Sequence, residues 1–178
     1  MAILQRQPDN INMLNQHVGR LVLKRAPTTN FFIQDVSIPP MQLGVANFHT
    51  QLDLIPWPGD SLARGTLDVM FKVDEDLTNY MEIWNWMVKL ASPDNYSQYA
   101  SLTPRTVKMA GEGVFSDVMV MLSNSAQRPN MEFRFQDAFP VAISGLRFTT
   151  RDGEATPLDV EVNFRFRHFT VHDANSEE

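Results

Sequence analysis

Leu67-Asp68-Val69-Met70-Phe71-Lys72-Val73-Asp74-Glu75-Asp76-Leu77-Thr78-Asn79-Tyr80-Met81-Glu82-Ile83-Trp84-Asn85-Trp86 changes its hydrophobic period midway. Up to Val73 the period is two: Leu67, Val69, Phe71 and Val73 share one face, and Thr66, Asp68, Met70 and Lys72 the other. Successive strand side chains point to opposite faces, so this reads as a half-buried strand. Beyond Asp76 the period becomes helical. The acids at 74–76 suit a helix start, where the dipole favours negative charge and an aspartate can cap. Ser92-Pro93 supplies the stop, because the residue before proline avoids helical angles. These signals predict a helix over about 76–91.

Two apolar stripes run along that helix. Leu77, Tyr80, Met81, Trp84, Met87, Val88 and Ala91 make the fuller one and are expected to face the core. Ile83, Trp86 and Leu90 form a second stripe about 130° away. Only Thr78, Glu82, Asn85 and Lys89 are left as a polar strip. Either the helix is sunk between two sheets of its own chain, or Ile83, Trp86 and Leu90 pack against another subunit, as exposed apolar patches with tryptophan anchors do.

Outward from this stretch the alternation continues. Met131, Phe133 and Phe135 alternate with Glu132, Arg134 and Gln136, and Leu158–Arg167 alternates throughout before slipping frame to Phe169 and Val171, the mark of a bulge or bend. Weaker strand patterns cover Leu21–Arg25, Phe31–Ile38, Asp117–Leu122 and Val141–Phe148. Ile38-Pro39-Pro40, Ile55-Pro56-Trp57-Pro58-Gly59-Asp60, Arg128-Pro129-Asn130 and Thr156-Pro157 read as punctuation between strands.

The chain has 178 residues, 43% of them hydrophobic and 20% charged, an ordinary composition for one folded domain. It contains no cysteine, which removes disulfides, thiolate nucleophiles and zinc–thiolate sites. The opening residues show no apolar run suited to a signal peptide, and no run of ~18 apolar residues suits a membrane span. The net charge of −6 disfavours a broad grip on nucleic-acid phosphates. It is unevenly spread: residues 1–29 carry +3, so the rest carries −9. We therefore divide the chain into an N-terminal arm with a first strand (1–29), a β domain (30–171) and an acidic tail (172–178). The arm is either a solvated terminus or a segment that docks on the acidic body of a neighbouring copy.

Catalytic motifs are missing. There is no Gly-x-Ser-x-Gly elbow. His168 and His172 lie four apart on a strand, ~13 Å, too far for one metal ion. Asp74-Glu75-Asp76 lacks the glycine and ligand spacing of a calcium loop. Gly111-Glu112-Gly113 lacks the Lys-Ser/Thr of a phosphate loop. Asn95-Tyr96-Ser97 fits a glycosylation sequon without secretory context. The reading is of a protein that is no enzyme and takes no cofactor. A small-molecule-binding sandwich, its pocket lined by a Val45–Ser61 loop, is the other class to weigh.

Three stretches resemble the tail-tube superfamily of contractile-tailed bacteriophages: Phe31–Pro39; Pro58-Gly59-Asp60 with Leu67–Trp86; and Gly113–Val118 continuing to Arg134–Leu146. The strand that ends in Val-Asp-Glu-Asp and enters an aromatic helix is the most specific, and within the superfamily the combination is most similar to T4-type tail-completion proteins. This chain departs in leaving the helix through Leu90-Ala91-Ser92-Pro93 where relatives use glycine. The resemblance implies a mainly β (α+β) fold, two packed antiparallel sheets forming a sandwich or open barrel with one flanking helix. It also implies a hexameric ring around a DNA-sized channel, at the head-proximal end of the tube, with tube, sheath and neck proteins as partners. DNA would pass without sequence-specific binding, and the protein would belong to the virion tail after assembly in the host cytoplasm. The repeating tube protein and a baseplate-side initiator are the alternatives. Ile83, Trp86, Leu90, Arg20, Lys24 and Arg25 are then candidates for the subunit interface. Asp159, Glu161, Arg165 and Arg167 face either the channel or solvent.

Overall fold

The computed structural model describes residues 13–14, 19–91, 114–149 and 156–174. The elements, in chain order, are β1 (Gly19–Leu23), α1 (Pro27–Phe31), β2 (Ile33–Ser37), β3 (Met41–His49), β4 (Leu54–Arg64), β5 (Leu67–Lys72), α2 (Thr78–Ala91), β6 (Ser116–Ser123), β7 (Pro129–Ile143), β8 (Asp159–Arg165) and β9 (His168–Asp173). The structure is mainly β, as the alternation required. The strands pair antiparallel in a seven-stranded sheet of order β1-β6-β7-β8-β5-β2, with β9 added on β7, and β3 and β4 pair apart from it. The sheet is open: among the described residues β1 pairs only with β6, and β2 only with β5.

Strand β7 joins two halves. Met131–Gln136 pairs with β9 and, over much the same stretch, with β6, whereas Phe139–Ile143 pairs with β8. Between them Asp137 adopts φ 54°, an uncommon region for a residue with a side chain. The register slips on both sides of this point, so β7 turns a corner there. The two halves close on one core, in which Leu67, Phe71, Phe135, Val160, Val162 and Phe164 are almost wholly enclosed. Phe135 stacks on Phe169 and meets the edge of Phe166, which fastens β9 to the corner.

The frame slip after Arg167 is the break between β8 and β9. The division drawn at residue 29 needs correction, because it falls inside α1. Pro27 sits at the first helical position of α1, where its missing N–H costs nothing. Leu21, Leu23, Ala26 and Thr29 are core residues, so residues 19–31 belong to the body. The acidic tail likewise begins later than residue 172, since β9 runs to Asp173. The Val141–Phe148 strand is shorter than expected, β7 ending at Ile143. Ser92-Pro93, the Asn95 sequon and Gly111-Glu112-Gly113 lie outside the described residues.

Helix α2 forms where expected but is rotated. Its buried residues are Asn79, Ile83 and Trp86, with Leu90 packed against the same core. Met81 and Trp84, expected inside, are 40% and 42% exposed. The cause is Asn79. Its Oδ1 accepts the amides of Asp74 and Tyr80 at 3.2 and 2.8 Å, and its Nδ2 donates to the Lys72 carbonyl at 2.8 Å. One side chain thus ties the helix entry to the end of β5, and 79, 83, 86 and 90 form the inward stripe. The aspartate expected to cap the helix instead serves the preceding turn, Asp74 accepting the Glu75 amide.

Candidate assembly surface

The β3–β4 hairpin has the most open apolar surface of the described residues. Its sequence was read as loop and punctuation, which is a correction: Leu54–Arg64 is a strand, and Pro56 and Pro58 pair with Asn47 and Val45. Proline removes a ladder donor, so it belongs on edge strands, and among the described residues β4 pairs only with β3. Midway the ladder bulges between Leu43 and Val45. Gly44 and Gly59 cross there in close backbone approach. A Cβ on Gly59 would stand 2.9 Å from the Gly44 carbonyl oxygen, nearer than side chains tolerate. The two glycines therefore permit the kink.

Beyond the kink Ala46, Phe48, Ile55 and Trp57 share one face by register. Phe48 and Trp57 meet edge to face with centroids 6.2 Å apart, yet are 57% and 59% exposed. The opposite face carries Val45, Asn47, His49, Leu54, Pro56 and Pro58, also open and mixed in polarity. A hairpin of this length reaches about 27 Å from its base. Its tip is nevertheless well fixed. Thr50 N–H donates to the Asp53 carbonyl (2.9 Å), Thr50 Oγ1 donates to the same oxygen (2.7 Å), and Asp53 N–H returns to Thr50 Oγ1 (3.0 Å). The Leu54 amide then donates to Asp53 Oδ1 at 2.7 Å.

The residues expected at a subunit contact are dispersed. Ile83 and Trp86 are 1% and 2% exposed, so neither can touch a neighbour; this overturns their assignment. Trp86 packs on Phe164 and donates its indole N–H to the Val114 carbonyl at 3.2 Å. Leu90 lies partly buried against the same core. Arg25 is half-buried with its guanidinium 5.0 Å above the Trp86 ring, and burial lowers its pKa from the usual arginine value. Arg20 and Lys24 stay outside, Arg20 on the open edge strand β1 and Lys24 just beyond it. Lys24 reaches Asp117 at 3.4 Å.

The remaining candidates lie on the outer face of β8 (Asp159, Glu161 and Arg165) and in the bend after it (Arg167). Asp159 pairs with Lys72 at 2.9 Å, and Asp68 accepts from Asn163 at 2.6 Å. The Glu161 amide donates to Ser144 Oγ at 2.9 Å. Arg165 is open, and Arg167 reaches Asp137 at 3.5 Å. The remaining rows across β1, β6, β7 and β9 read Arg20–Met121–Glu132–His172 and Val22–Met119–Arg134–Thr170. Glu132 pairs with Arg134 there. Among the described residues no three His, Asp or Glu side chains gather as metal ligands, and no helix is long and apolar enough to cross a membrane.

An open, two-halved antiparallel sheet with a flanking helix and a long projecting hairpin defines a class of fold. The chain has the tail-tube fold, the architecture of tube components in contractile injection systems. It is similar to the anti-feeding prophage tube-terminating cap (TM-score 0.55, 12% identity, covering 98% of this chain and 100% of that one). It is also similar to a chain of the 6-fold-symmetrised anti-feeding prophage baseplate (0.57, 12%, 94% and 99%). A third likeness is to the sheath–tube complex of the extracellular contractile injection system PVC in its extended state (0.52, 10%, 91% and 93%). The sequence itself matches no known family model and no curated protein.

Proposed function

We propose that the chain is a structural subunit of a contractile tail that forms a six-membered ring at the head-proximal end of the tail tube and completes it. One observation carries this reading: a hairpin with an exposed face of Phe48, Ile55 and Trp57 projects from a body that has a buried core of its own. Such a surface is an association surface. Fold likeness to a tube-terminating cap supports this position in the tail, and the sixfold symmetry of the anti-feeding prophage baseplate supports the ring. The unpaired edges of β1 and β2 lie at opposite ends of the sheet, as a head-to-tail ring needs.

In this reading the partners are other copies of the chain, the tube, the sheath and the neck. DNA passes the bore without sequence-specific contact. The face bearing Asp159, Glu161, Arg165 and Arg167, with Asp68 and Lys72 beside it, sets three acids against three bases, so it offers no net positive charge to hold DNA, which suits a wall that DNA slides past. The protein works in the virion tail after assembly in the host cytoplasm. The repeating tube subunit is the second reading, supported by the likeness to the sheath–tube complex. Likeness to a baseplate chain leaves a tube initiator as the third.

Light scattering with negative-stain imaging of the purified protein tests all three. Discrete six-membered rings are the expected result. Spontaneous long tubes would support the repeating subunit instead, and a monomer at high concentration would sink every tail reading.

A further inference from the structure

The hairpin tip offers an exposed apolar side chain beside an acid, and the β7 corner an aromatic hollow beside arginines. At the tip Leu52 is 99% exposed, although four hydrogen bonds hold the turn that presents it. A fully open leucine on a fixed turn is a knob without a hole. Beside it, the exposed Asp53 uses Oδ1 to accept the Leu54 amide. At the corner, Phe115, Phe139 and Phe166 floor a cup of about 350 Å³, and Asp137, Arg165 and Arg167 rim it. That volume is at the small end of ligand sites, ~300–1,000 Å³, and suits a side chain or two. Phe115 and Phe139 meet edge to face at 5.8 Å, so the floor is set before anything enters. Arg167 is tied to Asp137, and Arg165 makes no ion pair among the described residues.

We infer that the hairpin tip of one copy seats in the β7 corner of the next, Leu52 filling the aromatic cup and Asp53 meeting Arg165. This rests on reading the chain as an assembling subunit, and it names the contact. The exposure of Leu52 shows that the tip does not occupy its own cup. Knob and cup are different surfaces, so a contact made in one direction, each copy giving its tip to the next, is heterologous. Repeated, it closes into a ring if the rotation allows and otherwise runs on as a stack. Asp53 against Arg165, with Arg167 beside it, supplies an opposite-charge match that fixes orientation more than affinity.

Because the chain has no cysteine, disulfide trapping is unambiguous. Full-length Leu52→Cys and Arg165→Cys proteins, distinguishable by mass, are mixed and oxidised, since a bridge needs Cα atoms within about 7 Å. A mixed dimer exceeding that from Leu52→Cys with Glu75→Cys, an exposed control in the turn before α2, is expected. In parallel, Leu52→Asp should weaken self-association roughly 10- to 100-fold with unchanged thermal unfolding of the monomer. If the unmodified protein assembles but trapping does not exceed the control, or Leu52→Asp assembles normally, this contact is wrong and the assembly reading stands. A monomer under all conditions removes both. Stronger trapping of Arg165→Cys by Glu177→Cys would give the cup to the acidic tail and overturn the proposal.

Discussion

The body and the hairpin are built from similar residues and use them oppositely. In the body Phe71, Phe135 and Phe164 have 0%, 0% and 1% of their surface exposed, and every core strand has one face against another layer. In the hairpin Phe48, Ile55 and Trp57 stand about half open on a two-stranded ribbon that pairs with no further strand among the described residues. An isolated two-stranded hairpin is marginal in water, and here the bulge glycines and the hydrogen-bonded tip hold its shape. Body aromatics thus stabilise the monomer, whereas hairpin aromatics are free for a partner. The contrast breaks if a hairpin substitution unfolds the chain, or if a body substitution spares it.

The largest effect belongs to the body. Phe164→Ala removes a fully enclosed ring that packs on Trp86, and a loss of about 3–5 kcal/mol is expected from urea unfolding. Asn79→Ala comes next. It strips the Lys72 carbonyl of its donor and the Asp74 and Tyr80 amides of their acceptor, for a cost of about 1–3 kcal/mol. If Asn79→Ala is neutral, the tether is not what sets the phase of α2.

That tether also explains where sequence reading succeeded and failed. Strands β5 and β8 were legible because one face of each is buried and the other more open, which writes the period of two into Leu67–Val73 and Leu158–Arg167; β7 shows the same period over Met131–Gln136 although its Glu132 is buried. The helix was legible, but its phase was not. Counting apolar residues favours the Met81–Trp84 stripe, while the true inward stripe contains a buried asparagine that hydrophobicity cannot flag. The hairpin was illegible for the opposite reason. Both its faces are open, so no alternation is required, and Pro56, Pro58 and Gly59 look like a turn although they lie in an edge strand. Its bulge and exposed tip, the core of the proposed assembly surface, left only the paired glycines and Leu52 as signals. The assembly role itself came from the resemblance of Phe31–Pro39, Leu67–Trp86 and the strand at Arg134–Leu146, not from any motif with chemistry of its own.

A smaller change in folding stability is expected in the hairpin. Phe48→Ser with Trp57→Ser should shift the urea midpoint by the equivalent of less than about 1 kcal/mol, the range of surface substitutions. Sedimentation should show assembly lost. Should the double variant unfold cooperatively at lower urea, the hairpin would be part of the core after all, and its apolar surface would need no partner.

The smallest effect on the monomer is expected at Lys24, and it sharpens where the body ends. Its amine meets Asp117 at 3.4 Å with both side chains more than half exposed, a geometry worth about 0–0.5 kcal/mol in water. Lys24→Ala should therefore leave unfolding of the single chain unchanged. Lys24 nonetheless lies just beyond the open edge of β1, beside the strand that carries Arg20, on the side where the proposed head-to-tail neighbour would come. If that edge faces the acidic body of the next copy, the attraction acts between molecules and is screened by salt. Assembly of the unmodified protein should then weaken as salt rises from 50 to 500 mM, on the order of the shortening Debye length, and that of Lys24→Ala should weaken less. Equal salt slopes would leave β1 outside the contact. A drop in monomer stability of more than about 1 kcal/mol would instead show that Lys24 serves the fold, with the β1–β6 edge depending on a pair that exposed charges seldom provide.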